Sequence, residues 1–244
     1  MRNIWTIAQR EYKHYFSSPI AYAVAFVILL ILGILFYSNL LSYVYYNAAP
    51  GIQISVGPLV TLLLFTTPAL TMNSMSDEQK SGTIELLMTS PIRDVEIILG
   101  KWLGGFLFLL TVLLVTWIFP IILNQLVSPG IDQGVLVTSY LGLILMSAAF
   151  VAIGVAISSF FTNQIASFFL TLGVLLAFWM IGYPAEAGGA ASGGEILRYL
   201  DLGSHYFDTF FLGIIDLKDV IYFLSLTVLS LFLGTTSIES RRWR

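Results

Sequence analysis

Four long stretches of this chain carry no Asp, Glu, Lys, Arg or His: Tyr15–Ser76, Trp102–Ile131, Gln133–Ala185 and Val220–Ile238. A membrane-spanning helix needs about 20 consecutive, mostly apolar residues, so these stretches have room for six. The first breaks at Asn47-Ala-Ala-Pro50-Gly51, leaving spans near Ile20–Leu41 and Val56–Met75. Trp102–Ile131 carries the third, whose helix is expected to begin at Leu99. Gln133–Ala185 holds the fourth and fifth, divided at the polar run Ser158-Ser-Phe-Phe-Thr162-Asn163-Gln164, and Val220–Ile238 is the sixth. The expected fold is an all-α polytopic membrane protein.

The first segment, residues 1–18, follows a different period. On a helix, Ile4, Trp5, Ile7, Ala8, Tyr12, Tyr15 and Phe16 share one face, while Arg2, Thr6, Gln9, Arg10, Lys13, His14 and Ser17 share the other. This is the pattern of an amphipathic helix lying in the membrane interface, basic side toward the headgroups. Glu11 breaks it by falling within the apolar arc. Either that carboxylate reaches sideways to water, or it pairs with a basic group on the neighbouring cytoplasmic loop.

Lysine and arginine orient the spans. Arg2, Arg10, Lys13, Lys80, Arg93, Lys101, Arg241, Arg242 and Arg244 fall on one side, and only Arg198 and Lys218 on the other. Both termini are therefore expected in the cytoplasm. The region after the fifth span, 184–219, is expected outside, as a Gly- and Ala-rich linker followed by short amphipathic helices. Its acids (Glu186, Glu195, Asp201, Asp208, Asp216 and Asp219) read as a solvated face, and His205 as a surface residue of the outer mouth.

Composition agrees with lipid as the main solvent. The chain is 57% hydrophobic and 10% charged, whereas soluble domains run at about 45–50% and about 25%. There is no cysteine, so disulfides, zinc–thiolate sites and thiol nucleophiles are excluded. No cleavable leader is expected, because Arg2 lies far from a first apolar run that is itself long enough to span. The apolar stretches lack the ionisable groups that ion-coupled transporters and proton relays place at membrane depth. They also lack an acid/base pair or ligand set for intramembrane hydrolysis. Nor is there a P-loop, since Gly100-Lys101 is followed by Trp102 and Val95 stands at the first glycine position. The chain is expected to be no enzyme and to hold no cofactor. If its transport is active, the energy comes from another subunit.

The most punctuated segment is cytoplasmic, residues 76–101. Gly82 can end the helix leaving the membrane. Thr83–Thr89 reads as a short helix candidate, with Ile84, Leu87 and Met88 expected on one side and Glu85 on the other. Ser90-Pro91, with Asp94 and Glu96 behind, starts a new helix running into the third span. Such a lever is well shaped to dock on a partner.

The run Asp77-Glu-Gln-Lys-Ser-Gly-Thr-Ile-Glu-Leu-Leu-Met-Thr-Ser-Pro91, with Leu99-Gly-Lys101, resembles the signature of ABC-2-type transporter permeases. Arg10-Glu11, Tyr15-Phe-Ser-Ser-Pro-Ile-Ala-Tyr22, Pro68-Ala-Leu-Thr-Met72, Ser158–Ile165, Ser204-His-Tyr-Phe207 and Glu239-Ser-Arg-Arg-Trp243 extend the likeness along most of the chain. Within that family it looks most like the short gliding-motility-type branch, although Asn73 stands where that branch would carry a basic residue.

The resemblance implies one transmembrane domain over 1–244 that pairs with a second permease subunit, alike or related. It implies a separate ATP-binding-cassette subunit holding ATP and Mg, and an extracytoplasmic partner, in the bacterial inner membrane and without nucleic acid. The complex would export a substrate or transmit force. Glu78, Lys80, Gly82, Thr83, Ile84, Glu85, Leu86, Leu87 and Pro91 would be the ATPase-coupling residues. Arg10 and Glu11 would belong to the interfacial helix, and Thr162, Asn163 and Gln164 to the second cytoplasmic loop. The alternative is a scaffold membrane protein or a channel uncoupled from any ATPase. Two small-residue spacings, Gly100-x-x-x-Gly104 and Ala148/Ala152/Ala156, permit close helix approach, either within the chain or at a dimer seam.

Overall fold

A computed structural model describes residues 2–82, 92–182 and 194–242. All regular structure among them is helical. In chain order the helices are α1 (Arg2–Ser17), α2 (Pro19–Tyr45), α3 (Gln53–Thr71), α4 (Asn73–Lys80), α5 (Asp94–Thr116), α6 (Ile118–Leu126), α7 (Gln133–Phe160) and α8 (Gln164–Met180). Then come α9 (Gly194–Leu200), α10 (Leu202–Phe207), a 3-10 turn (Phe210–Leu212) and α11 (Leu217–Arg242).

Five helical runs among the described residues are long and apolar enough to cross a membrane: α2, Gln53–Lys80 (α3 with α4), Asp94–Leu126 (α5 with α6), α7, and Leu217–Ser240 in α11. The expected fifth span falls on α8, an apolar helix of 17 residues, roughly 25 Å long at 1.5 Å per residue against a hydrocarbon core of about 30 Å. Asn163 sets its start, its side chain accepting from the Ile165 and Ala166 amides at 2.9 and 3.4 Å. Asp94–Leu126 has 33 residues, about 50 Å, so a good part of it projects beyond any hydrocarbon layer.

Helix α7 is the axis of the bundle, with 78% of its apolar window buried against 22% for α2. It packs on α11, α3, α5, α8 and α4. Small residues allow this. A Cβ on Gly154 would lie 2.0 Å from Thr71 Oγ1, and one on Gly234 would lie 3.2 Å from Ala156 Cα. The alanine spacing is thus consumed inside the chain, with Ala148, Ala152 and Ala156 all buried.

The glycine spacing is consumed as well. A Cβ on Gly100 would meet Ile7 Cβ at 2.6 Å, and one on Gly104 would meet Glu11 Cβ at 2.5 Å. Contacts advance in step: Asn3 reaches Glu96, Ile7 lies at Gly100, Glu11 at Gly104, and the Tyr15 ring stacks on Phe108. Helix α1 therefore runs alongside the first half of α5, in the same direction. Ile7, Ala8, Glu11 and Tyr15 are its buried face. Trp5 and Phe16, expected on the apolar side, stay exposed at its flanks.

The start of α5 differs from the sequence expectation. Arg93 is extended and the helix begins at Asp94, not at Pro91. The Glu96 carboxylate reaches back to accept the Arg93 amide at 3.2 Å, satisfying a donor that the helix start leaves open.

The far end of the bundle corrects two further expectations. His205 and Asp219 are buried, at 6% and 1% exposure, rather than lying on a solvated surface. His205 Nδ1 lies 2.6 Å from Asp219 Oδ1 and Nε2 lies 2.8 Å from the Tyr199 carbonyl. The Tyr222 ring stacks on the imidazole at 3.9 Å. A buried carboxylate and imidazole each need a partner, and folding α10 back on the foot of α11 supplies one to both. Asp201 caps α10, and Asp216 pairs with Lys218 at 3.1 Å. Asp208 alone is simply exposed. Glu186 lies outside the described residues, and the Glu195 side chain is not described.

Candidate functional site

At the α1 end of the bundle, three helices bring four charged side chains together. Lys101 Nζ, on α5, lies 3.2 Å from Glu11 Oε1 on α1 and 3.0 Å from Glu78 Oε1 on α4. Arg10 adds contacts of 3.1 Å to Glu11 and 3.3 Å to Glu78. The Lys101 side chain is 2% exposed and the Arg10 side chain 58%. Lysine is the buried hub and arginine the solvent-side brace.

A buried ammonium is costly unless its donors are matched, and here they are. Besides the two carboxylates, Lys101 donates to the Ser74 carbonyl at 2.6 Å. That carbonyl follows Asn73, where the resemblance led us to expect a base, so Lys101 brings positive charge to that place from another helix. Burial pushes the Glu11 carboxyl up, but Lys101 and Arg10 more than offset it and hold it below the usual carboxylate range. Tyr15, one turn on, is pushed up by burial and by the nearby Glu11 charge. It stays a phenol and donates to the Leu70 carbonyl at 3.3 Å.

The opposite flank of α4 is held by α7 and α8. Gln79 Nε2 donates to the Ser159 carbonyl at 2.7 Å, and Gln164 Nε2 donates to Asp77 Oδ1. The Ser158 hydroxyl accepts from the amides of Met75 and Ser76 at 2.9 and 3.2 Å. Three consecutive residues, Asp77, Glu78 and Gln79, thus point to three different neighbours. Beside α4 a cavity of about 1020 Å³ opens between α1, the start of α2 and Gln164, with His14, Asn73, Asp77 and Lys80 among its walls.

Helix α4 ends in a geometry that only glycine takes easily. Gly82 has φ 72°, with nothing within 4 Å of an added Cβ, so a side chain there would be strained by backbone conformation and not by crowding. Of the coupling residues expected from the sequence, Glu78 sits in the ion cluster, Lys80 is exposed at the end of α4, and Gly82 turns the chain. Thr83, Ile84, Glu85, Leu86, Leu87 and Pro91 lie outside the described residues. Arg10 and Glu11 join the cluster, Gln164 bonds Asp77, Asn163 caps α8, and Thr162 is exposed.

A family model described as ABC-2 family transporter protein matches residues 56–238. The chain belongs to the ABC-2 transporter family. No curated protein matches it significantly. In this ABC-2 family chain, Glu78, Lys101, Ser158 and Gln164 fall within the matched stretch, while Arg10 and Glu11 precede it. The ion cluster therefore ties the N-terminal helix to the family core.

Sequence reasoning missed Lys101, Ser158, Ser159, Asp77 and Gln79 as members of the site. For Lys101 a signal existed: it is the last charge before a long apolar run and follows Gly100, the small residue on which α1 rests. The serines carried no comparable signal.

Proposed function

We propose that this chain is the permease subunit of an ATP-binding-cassette transporter, exporting a substrate or transmitting force with ATP hydrolysed on a separate subunit. It crosses the bacterial inner membrane six times, α8 included, with both termini in the cytoplasm. It works beside a second permease copy or a related chain, and with an extracytoplasmic partner, in the manner of the gliding-motility-type branch. The α1 end faces the cytoplasm.

The observation that carries this reading is the ion cluster of Arg10, Glu11, Glu78 and Lys101. It joins α4 and α5, the two legs from which residues 83–91 hang, to each other and to α1. A permease without chemistry of its own needs a stiff cytoplasmic lever, and cross-bracing both legs makes one. Residues Thr83–Thr89 would be the coupling helix, entering a groove on the ATPase by its apolar side with Glu85 available for polar contact.

Reconstitution with the ATP-binding subunit in lipid tests this. Glu85→Lys puts the wrong charge at the contact, and Gly82→Val strains the φ 72° turn that aims the segment. Both variants are expected to insert normally, to recover less ATPase on purification and to lose permease-dependent hydrolysis. Normal recovery and hydrolysis in both would sink the coupling role.

Topology is checked separately in this cysteine-free chain. Single cysteines at Asn47 and Gly188 are expected to react with a membrane-impermeant thiol reagent from outside, and those at Lys80 and Arg242 only after the membrane is opened. Any other partition would overturn the six-span orientation.

A further inference from the structure

Helix α3 passes into α4 through Met72, whose backbone keeps helical angles (φ −55°, ψ −32°), but one rung of the hydrogen-bond ladder there is bridged by a side chain. In a continuous helix the Ser76 amide would close a turn on the Met72 carbonyl. Here the Ser158 hydroxyl of α7 stands between them, accepting from Ser76 N at 3.2 Å and donating to the Met72 carbonyl at 3.2 Å. It also accepts the Met75 amide at 2.9 Å. A serine hydroxyl has one donor and two acceptor sites, so every one of them is used on this junction. Ser158 is fully buried, and no water is needed to complete the arrangement.

We propose that Ser158 is a positioning residue whose inserted hydroxyl makes the α3–α4 junction a hinge, letting α4 tilt against the span before it. A side chain inserted into the backbone ladder is one of the few physical causes of a localised helix bend. Its bonds can also be exchanged. If α4 shifts, the Ser76 amide can close on the Met72 carbonyl, which already accepts from the Ser76 hydroxyl. The backbone groups of the junction then keep partners, and the Ser158 hydroxyl is the group that gives them up. The two flanks of the junction are held differently. On the α3 side, Thr71 is seated on Gly154 so closely that a Cβ there would lie 2.0 Å from its hydroxyl. Such interlocked packing resists displacement. On the α4 side, Met75 is buried in the core next to Ser158, and beyond it the contacts run through polar side chains, Glu78 to Lys101 and Gln79 to the Ser159 carbonyl. The cavity of about 1020 Å³ lies along Asn73, Asp77 and Lys80, giving α4 room to move. The fulcrum is fixed, and the movement falls on the helix that leads into residues 83–91.

This inference rests on the coupling reading, and the experiment separates the two. Spin labels at Lys80→Cys and Glu239→Cys, both exposed positions at this end, report the distance from α4 to α11. Labelled chain is diluted with unlabelled chain and assembled with its ATP-binding subunit in lipid nanodiscs. Pulsed electron resonance is then recorded without nucleotide and with ATP plus vanadate. The unmodified site is expected to shift its distance between the two conditions, Ser158→Ala to hold one distance in both, and Ser158→Thr, which keeps the hydroxyl, to shift again. Ser158→Gly replaces the alanine variant if that fails to insert. An unchanged shift in the variants lacking the hydroxyl would overturn the hinge while leaving coupling intact. A frozen distance in the threonine variant would assign the effect to packing and overturn it too. No shift in the unmodified site despite bound ATPase would remove the coupling reading and the hinge together.

Discussion

Lys101→Met is expected to release helix α1 from the bundle and to destabilise the fold by about 3–5 kcal/mol, the usual cost of removing one partner of a buried charge pair. The size follows from what is left behind. Among the described residues, Glu11 would keep Arg10 as its charged partner, with a side chain 58% exposed, and an exposed pair contributes about 0–1 kcal/mol. The Ser74 carbonyl would lose its ammonium donor as well. Glu11→Gln is expected to cost less, because Lys101 retains Glu78 and Ser74, yet more than Gln9→Ala on the exposed face of the same helix. Thermal unfolding in nanodiscs gives the ranking. Thiol reactivity of Ile7→Cys, a buried position on α1, reports release of the helix directly.

The same pair has a pH signature. The Glu11 carboxyl is held below its ordinary value in the folded chain. Its contribution is therefore present above the unfolded carboxylate pKa of about 4.3 and is lost as pH falls through the lower folded value. The thermal midpoint is expected to hold at neutral pH and to fall only in acid, with that fall weakened in Glu11→Gln. Equal reactivity of Ile7→Cys with and without Lys101→Met at neutral pH would show that the cluster does not hold α1.

Gly104→Ala is expected to have the next largest effect, and it starts from sterics. The added Cβ would stand 2.5 Å from Glu11 Cβ, 3.1 Å from the Ala8 carbonyl and 3.3 Å from the Tyr12 amide. Two of those atoms are backbone, so a rotamer change cannot relieve the contact and α1 must back away. Overpacking of this kind costs about 1–3 kcal/mol, and the retreat also lengthens the Glu11–Lys101 pair. Gly173→Ala, in α8, is the control. Nothing lies within 4 Å of its Cβ, and exchanging a helical glycine for alanine should stabilise by about 0.4–1 kcal/mol. A lowered midpoint for Gly104→Ala beside an unchanged or raised one for Gly173→Ala is the expected result. Matching midpoints would mean that the Gly100/Gly104 seat tolerates a looser fit than its geometry implies.

The helical, membrane-spanning character of the chain was legible in the sequence because it depends on composition along a line. Runs without charge must be helices if they are to bury their backbone polar groups in lipid, and the breaks at Asn47–Gly51 and Ser158–Gln164 coincide with the observed helix ends. Asp94 and Glu96 were likewise readable as first-turn acids, and Gly82 as the turn after α4.

What only the tertiary structure decided are the meetings between residues far apart in the chain. Glu11 stood out in the sequence as a charge on an apolar arc, but its partner is 90 positions away. His205 and Asp219 read as separate surface residues until the chain folded back to bring them to 2.6 Å. Gly100/Gly104 fitted a seam within the chain better than a dimer seam without deciding between them, and α1 occupies it. Ser158 was one hydroxyl in a polar linker, and its insertion at the α3–α4 junction depends on Gly154 bringing α3 close. Periodicity assigns a residue to a face, because that is a property of one helix. Which face meets which is set by complementary shape and by the need of each buried charge for a partner, and those are properties of the packed bundle.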